Sequence, residues 1–468
     1  MNPTTTDLVP EPPAADLPYP SLYDERTGIV RRLAPRRIPP WFPPSFSLTH
    51  AWLCDTTWFG PWPADATGAG YAFADPRRAL AAALGEAAER YCGNLVPAGL
   101  TTASYRDLAD AGVEAIDPDQ LALYSPAQYA TPGFPLVPMS RDLEQQWAAG
   151  RDLRTGIAVL VPASLVWVSW NAPAAAHPVP RTNPIIQAGL AAGPDRASAE
   201  RGALLEVVER DAMTMSWFGG RGLREALPPG WLRDFCRGPQ GALDVRFLAF
   251  DDEFGVPVVG ALVTDDRTGY LTLGMGVHPD PVDAALKACG EALQLQLFVA
   301  DYDDPDGPYA QVAASPTSPL RPWRSDRAYL RSYRDDLSDV VDYGCHLQLF
   351  LDPAARERFR RTVADTIVGS VELTDLGSAP ARAPGPAAAD LFDLADPVDR
   401  LAGAGHRAVA VDVTTPDVRR AGLHVTRVVV PGLYSNTAVG LPFLGGHRLP
   451  AARTAPRTAV LPSIPLPH

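Results

Sequence analysis

The run Ala203-Leu204-Leu205-Glu206-Val207-Val208-Glu209-Arg210 sets two carboxylates three residues apart among aliphatic neighbours. Residues at that spacing share one face of a helix, so both acids point the same way from a segment that shows little surface to water. Two such acids repel each other and lose hydration, at a cost on the order of several kcal/mol each. A cation relieves that cost. Arg210 is one candidate, and a hard divalent ion carrying a phosphate is a stronger one, because Mg²⁺ prefers a few carboxylates completed by substrate oxygens. Taken alone, the pair also fits a solvated acidic stripe.

Repetition favours the first reading. Gly85-Glu86-Ala87-Ala88-Glu89-Arg90 carries the same Glu-x-x-Glu-Arg on an alanine-rich segment, and Gly290-Glu291-Ala292-Leu293-Gln294 keeps the first acid with an amide at the second. An alanine (Ala79, Ala199, Ala284) stands seven residues before each first Glu. Further upstream come Gly68-Ala69-Gly70, Gly189 to Gly193 and Gly274-Met275-Gly276, which read as glycine-rich turns. The unequal intervals between copies exclude a solenoid.

The elements that must hold these residues follow from pattern. Asp75 before Pro76, and Asp195, are expected helix starts. Strands are expected at 157–161 and 164–168 as a pair, at 245–250, 256–263 and 269–273, and around 408–414 and 425–430. Residues 302–322 read as loop, 323–365 as mostly helical and 376–389 as linker. The sum is an α+β protein with mixed sheets and repeated acidic helices. Three regions are expected: a proline-rich arm over 1–45 without regular structure, a catalytic domain over 46–450, and a proline-rich tail over 451–468.

Composition narrows the function classes. With 46% hydrophobic and 20% charged residues in 468, the chain is globular rather than disordered. Its net charge of −13 opposes a nucleic-acid or anionic-membrane partner. No run of about 18 apolar residues offers a membrane span, and the N-terminus lacks a signal-peptide layout. The five cysteines are odd in number and widely spaced, against a disulfide framework or zinc site, so a cytoplasmic location is expected. Lys287 is the only lysine, which the arginine-rich composition explains without invoking function. Clustered acids without a Walker loop, a Gly-x-Ser-x-Gly or a His-x-x-x-His suit magnesium and phosphate chemistry at a non-standard site.

Those acidic segments resemble the YcaO superfamily. So do Gly274-Met275-Gly276 before Glu291 and Gln294, Val411-Asp412-Val413-Thr414-Thr415-Pro416, and Val429-Val430-Pro431-Gly432-Leu433. The resemblance covers roughly residues 50–450. It implies a YcaO-type fold around a nucleotide site and an ATP- and Mg²⁺-dependent enzyme that phosphorylates a peptide amide oxygen so that a nucleophile replaces it. It carries Glu86, Glu89, Glu206 and Glu209 over as metal ligands. The same four, with Arg90, Arg210, Glu291 and Gln294, become nucleotide contacts, and Arg427 or Arg448 becomes a late arginine closing the pocket.

Pro462-Ser463-Ile464-Pro465-Leu466-Pro467-His468 resembles the proline-rich tail of azoline-forming members. That implies a catalytic role for Pro465, Pro467 and His468 in a cyclodehydratase acting on Cys, Ser or Thr of a ribosomal precursor peptide. The tail departs from the family in ending on His468, and Ala69 and Gln187-Ala188 replace the usual lysine and Ser-Asn. A separate leader-binding partner protein is expected, and a homodimer is compatible with the chain. Thioamide- or amidine-forming members and a non-catalytic scaffold are the rival readings.

Overall fold

Residues 17–56, 59, 66–171, 180–250, 253–377, 395–452 and 462–468 are described in the computed structural model of the chain. Their β-branched and aromatic runs form three sheets. The first is an antiparallel meander of β1 (Val30–Pro35), β2 (Phe46–Leu53) and β3 (Thr67–Phe73). The second has β4 (Thr101–Ala103), β5 (Gln145–Asp152), β13 (Val409–Asp412), β14 (His424–Val429) and β7 (Leu190–Gly193) in that order, with β6 (Ala158–Pro162) also paired to β5. The third runs β11 (Tyr270–Val277), β10 (Val258–Asp265), β9 (Asp244–Phe250), β8 (Leu223–Leu227), β12 (Ile367–Glu372), and only its β8–β12 pair is parallel.

One long helix covers each sheet. Helix α1 (Pro76–Asn94) lies on β3, α2 (Arg196–Trp217) on β7 and β14, and α3 (Pro281–Asp303) on β11. An aspartate caps each start: Asp75 accepts from the Arg77 N–H at 3.0 Å, Asp195 from Ser198 at 2.7 Å and Asp280 from Val282 at 2.8 Å. In all three helices the first Glu of the repeat stands eleven residues after the cap, from Asp75 to Glu86, Asp195 to Glu206 and Asp280 to Glu291. The device is a strand–helix pair used three times.

The upstream glycines lie largely within strands rather than turns. Only Gly189 among them has a positive φ, of 85°; the others serve close approach. A Cβ at Gly70 would sit 2.2 Å from the Ala83 nitrogen, at Gly193 2.6 Å from the Ala199 nitrogen, and at Gly276 2.1 Å from the Ala284 oxygen. This explains the alanine seven residues before each Glu. Glycine in the strand and alanine in the helix let the two backbones almost touch.

Other expectations change as well. Residues 17–45 are not an unstructured arm: β1 pairs with β2, Leu22 and Val30 are fully buried, and Arg36 bonds Asp301 at 3.0 Å. Pro35 is tolerated because β1 is an edge strand. Residues 1–16 lie outside the described part. Strands β9, β10, β11, β13 and β14 stand where expected, but 164–168 is not a strand. β6 pairs instead with the preceding strand, β5, across a short hairpin, and single 3-10 turns follow at Ala163–Leu165 and Val168–Asn171. Helix α3 continues to Asp303 and a further helix spans Pro308–Ala313, inside the stretch read as loop. Within 323–365 only α4 (Tyr343–Leu349), α5 (Pro353–Thr366) and a 3-10 turn are helical. Residues 378–389 of the expected linker are outside the described part. No helix among the described residues is long and apolar enough to cross a membrane.

Candidate nucleotide and metal site

The first Glu of each copy reaches back to its own strand. Glu86 Oε2 accepts from the Ala69 N–H at 2.6 Å, Glu206 Oε2 from Gly189 at 2.9 Å, and Glu291 Oε2 from Met275. The second acid of α1 crosses to the next unit, where Glu89 Oε1 accepts from Ala192 at 2.6 Å. Each of these carboxylates is thus aimed by a backbone donor, the kind of support that orients a metal ligand. Three sheets that share no strand deliver their acids to one place.

Two arginines stand among them. Arg90 bonds Glu86 at 2.8 Å and Gln187 at 2.5 Å. Arg210 is central, with Nη2 3.3 Å from Glu209 and 3.8 Å from both Glu206 and Glu291. The cations do not balance the acids. Burial, with Glu86 and Glu206 adding repulsion, pushes Glu89 up to about 8. Burial pushes Glu291 up to about 7, with Glu209 adding and Arg210 opposing. Burial also raises Glu209, against the pull of Arg210 and Lys287. The Oε1 of Gln294 is buried without a hydrogen-bond partner.

The chain end arrives at the same point. Trp217 Nε1 donates to the Ile464 carbonyl at 3.1 Å, and the Leu273 N–H to the Pro467 carbonyl at 2.7 Å. Arg358 of α5 bonds Ser463 at 3.0 Å. Ile464 and Leu466 are buried in the main apolar cluster. His468 Nδ1 donates to the Leu273 carbonyl at 3.1 Å, which leaves Nε2 to accept from Arg210 Nη1. Burial and the adjacent guanidinium hold this imidazole well below its ordinary pKa, so it is neutral. Tail and acids meet at Arg210.

Sequence profiles place this arrangement. The profile of the family described as YcaO cyclodehydratase, ATP- and Mg²⁺-binding, matches residues 70–434. The chain belongs to the YcaO family. Among curated relatives it is 28% identical over 241 residues to an uncharacterized protein in the tfuA 3′ region of Rhizobium leguminosarum, covering 48% of this chain and 53% of that one. It is 30% identical over 233 residues to an uncharacterized protein of Methanothermobacter thermautotrophicus, covering 46% and 54%. The chain thus matches about half the length of these relatives.

Solved structures agree on the YcaO fold. A heterocyclase in complex with substrate and cofactor superposes with a TM-score of 0.62 at 20% identity, over 93% of this chain and 55% of that one. The YcaO of Methanopyrus kandleri bound with AMPPCP and Mg²⁺ gives 0.54 at 22%, over 86% of each. The E. coli microcin synthetase McbBCD complex gives 0.56 at 13%, over 92% and 96%.

ATP and Mg²⁺ are the cofactors of this YcaO family, and the residues here fit them. Surplus carboxylates held by backbone donors suit a divalent ion, and the unpartnered Gln294 oxygen adds a neutral donor. Among the described residues no three His, Cys, Asp or Glu side chains form a complete metal cage.

Both late arginines have partners within the chain, and Arg427 lines a cavity with Arg210. Arg427, only 1% exposed, donates to the carbonyls of Val166, Ile186, Gln187 and Ala188, and so clamps the segment leading to Gly189. Arg448 pairs with Asp211 at 2.6 Å and Glu253 at 2.7 Å. Sequence reasoning missed Tyr343 and His346 of α4, which line a small cavity with Pro465, Leu466 and His468. His346 Nε2 accepts from the Val439 N–H at 3.1 Å. Their spacing of three on one helix was the available signal.

Proposed function

We propose that this YcaO chain is an ATP-dependent cyclodehydratase that converts Cys, or Ser or Thr, of a ribosomal precursor peptide into thiazoline or oxazoline. The observation that carries this reading is the docking of the tail, with His468 lodged against Arg210 between the acids of α2 and α3. Bound ATP–Mg²⁺ supplies the phosphoryl group that turns an amide oxygen into a leaving group. Glu86, Glu89, Glu206 and Glu209 would hold the metal, with Arg90, Arg210, Glu291 and Gln294 around the phosphates.

Pro465 and Pro467 stiffen the tail so that its last residue stays in register. The neutral Nε2 of His468 offers a proton acceptor at the site. When a substrate thiol or hydroxyl displaces the Arg210 contact, His468 takes its proton as the side chain attacks the preceding carbonyl. Arg210, released from the imidazole, remains beside the oxygen that gains charge. The resemblance to a heterocyclase bound to substrate, and to the McbBCD complex, supports a peptide substrate and a separate leader-binding partner protein for this chain.

Reconstitution with ATP, Mg²⁺, the partner and the peptide tests the reading. The expected product has lost the mass of one water per ring, with phosphate released in step. Unchanged peptide mass would refute cyclodehydration, and a mass change that requires added sulfide or amine would identify thioamide or amidine formation instead.

A further inference from the structure

Lys287 is the single lysine of a chain whose other basic side chains, of 41 in all, are arginine. It stands on α3 one turn before Glu291 and two turns before Gln294, on the face that carries the third copy of the acid repeat. It is exposed, and its Nζ makes one long contact of 3.4 Å, to the Val277 carbonyl at the end of β11. Among the described residues it forms no ion pair. Asp283, one turn earlier on the same helix, lies instead 3.6 Å from His278. The Tyr71 hydroxyl of β3 donates to the Lys287 main-chain carbonyl at 2.8 Å, so the residue sits where the first sheet meets the third helix. The one-turn spacing puts Lys287 and Glu291 on the same face of α3, and the lysine's charge favours the ionised Glu209 carboxylate against burial.

We infer that Lys287 is a binding residue for the terminal phosphate of a nucleotide–Mg²⁺ complex, a role that rests on the nucleotide reading of the acid site. An exposed ammonium above buried carboxylates, without an acid of its own, is free to take an anion. The surplus negative charge beneath repels a bare anion such as a peptide carboxylate. It accepts one that brings divalent cations, which leaves a magnesium polyphosphate. Lysine suits the place as a compact point charge on a flexible stem, able to follow a phosphoryl group that changes position.

The uniqueness of the lysine makes the test a single-site measurement. The probe is an acyl-phosphate derivative of ATP, bearing a biotinylated acyl group on its terminal phosphate, applied to the full chain with Mg²⁺. The Lys287 amine attacks the acyl carbonyl, the acyl–oxygen bond breaks, ATP leaves, and the nitrogen gives its proton to solvent as the amide forms. Peptide mass spectrometry is expected to find the acyl group on Lys287 and its suppression by excess ATP–Mg²⁺. Lys287→Gln is expected to weaken ATP–Mg²⁺ binding by calorimetry about tenfold, the size of one charge-assisted contact, with an unchanged melting temperature. Lys287→Arg is expected to recover most of that binding while losing the label. An unlabelled Lys287 with intact ATP binding, a label that ATP does not suppress, or an unaltered affinity in Lys287→Gln overturns the role of the lysine alone. Absence of ATP–Mg²⁺ binding by the unmodified chain overturns the nucleotide reading and the inference with it.

Discussion

At the scale of single residues, the site is a set of acids that burial pushes towards their neutral forms. Glu209 is buried against Arg210, so Glu209→Gln keeps the shape and removes the charge a metal needs. Turnover by this variant is expected to fall at least 100-fold, in line with roughly 2.7 kcal/mol or more for losing a key electrostatic contact. Its fold should persist, as circular dichroism can verify. The raised Glu89 and Glu291 make a second prediction, whose sign follows from proton counting. Between the ordinary value of 4.5 and about 8 for Glu89, or about 7 for Glu291, the folded chain holds more protons than the unfolded one. The metal-free protein is therefore expected to lose stability as pH rises through that window. Melting temperatures from pH 5 to 8.5 should decline without Mg²⁺–ATP and flatten with it, and Glu89→Gln should reduce the slope.

At the scale of elements, the unit is a glycine-bearing strand pressed against an alanine-bearing helix. A Cβ at Gly274 would lie 2.2 Å from both the Ala288 oxygen and the Ala292 nitrogen, atoms of a helix backbone that cannot yield locally. Gly274→Ala is expected to cost about 2–4 kcal/mol by chemical denaturation. It should also displace Glu291, whose donor is the next residue, Met275. Removing the cap with Asp280→Ala should cost only about 1 kcal/mol. The contrast separates the packing of the unit from the stability of its helix. Equal losses in the two variants would contradict the close-approach account.

At the scale of the whole molecule, the tail is a structural member as well as a candidate catalyst. Ile464 is fully buried and Leu466 nearly so, in the cluster shared with β11 and α5. Deleting 462–468 therefore removes core as well as chemistry. Ile464→Ala is expected to destabilise by about 2–4 kcal/mol, whereas His468→Ala should leave the melting temperature near that of the parent. His468→Ala should nonetheless slow ring formation more than it weakens ATP binding, and an unchanged cyclisation rate would remove the proton-acceptor role. A second long-range link, Asp211 with Arg448, ties α2 to the segment after β14.

Much of this was legible in the sequence, because a helix face and a cap are local matters. The spacing of Glu86 and Glu89, of Glu206 and Glu209, and of Glu291 and Gln294 determined that each pair shares a face. Asp75 and Asp195 marked helix starts by their own hydrogen-bonding chemistry. Spacing along one segment could not say what that face meets. Only the tertiary structure decided that three sheets bring the acids together, that Arg210 stands at their centre, that Arg427 is spent on four carbonyls, and that His468 reaches back across the chain. It also decided that the glycines serve close packing within strands, and that residues 17–45 join a sheet. The reason is physical: a strand's partner and a buried charge's neighbours come from distant segments, and their pairing depends on packing that no local window contains.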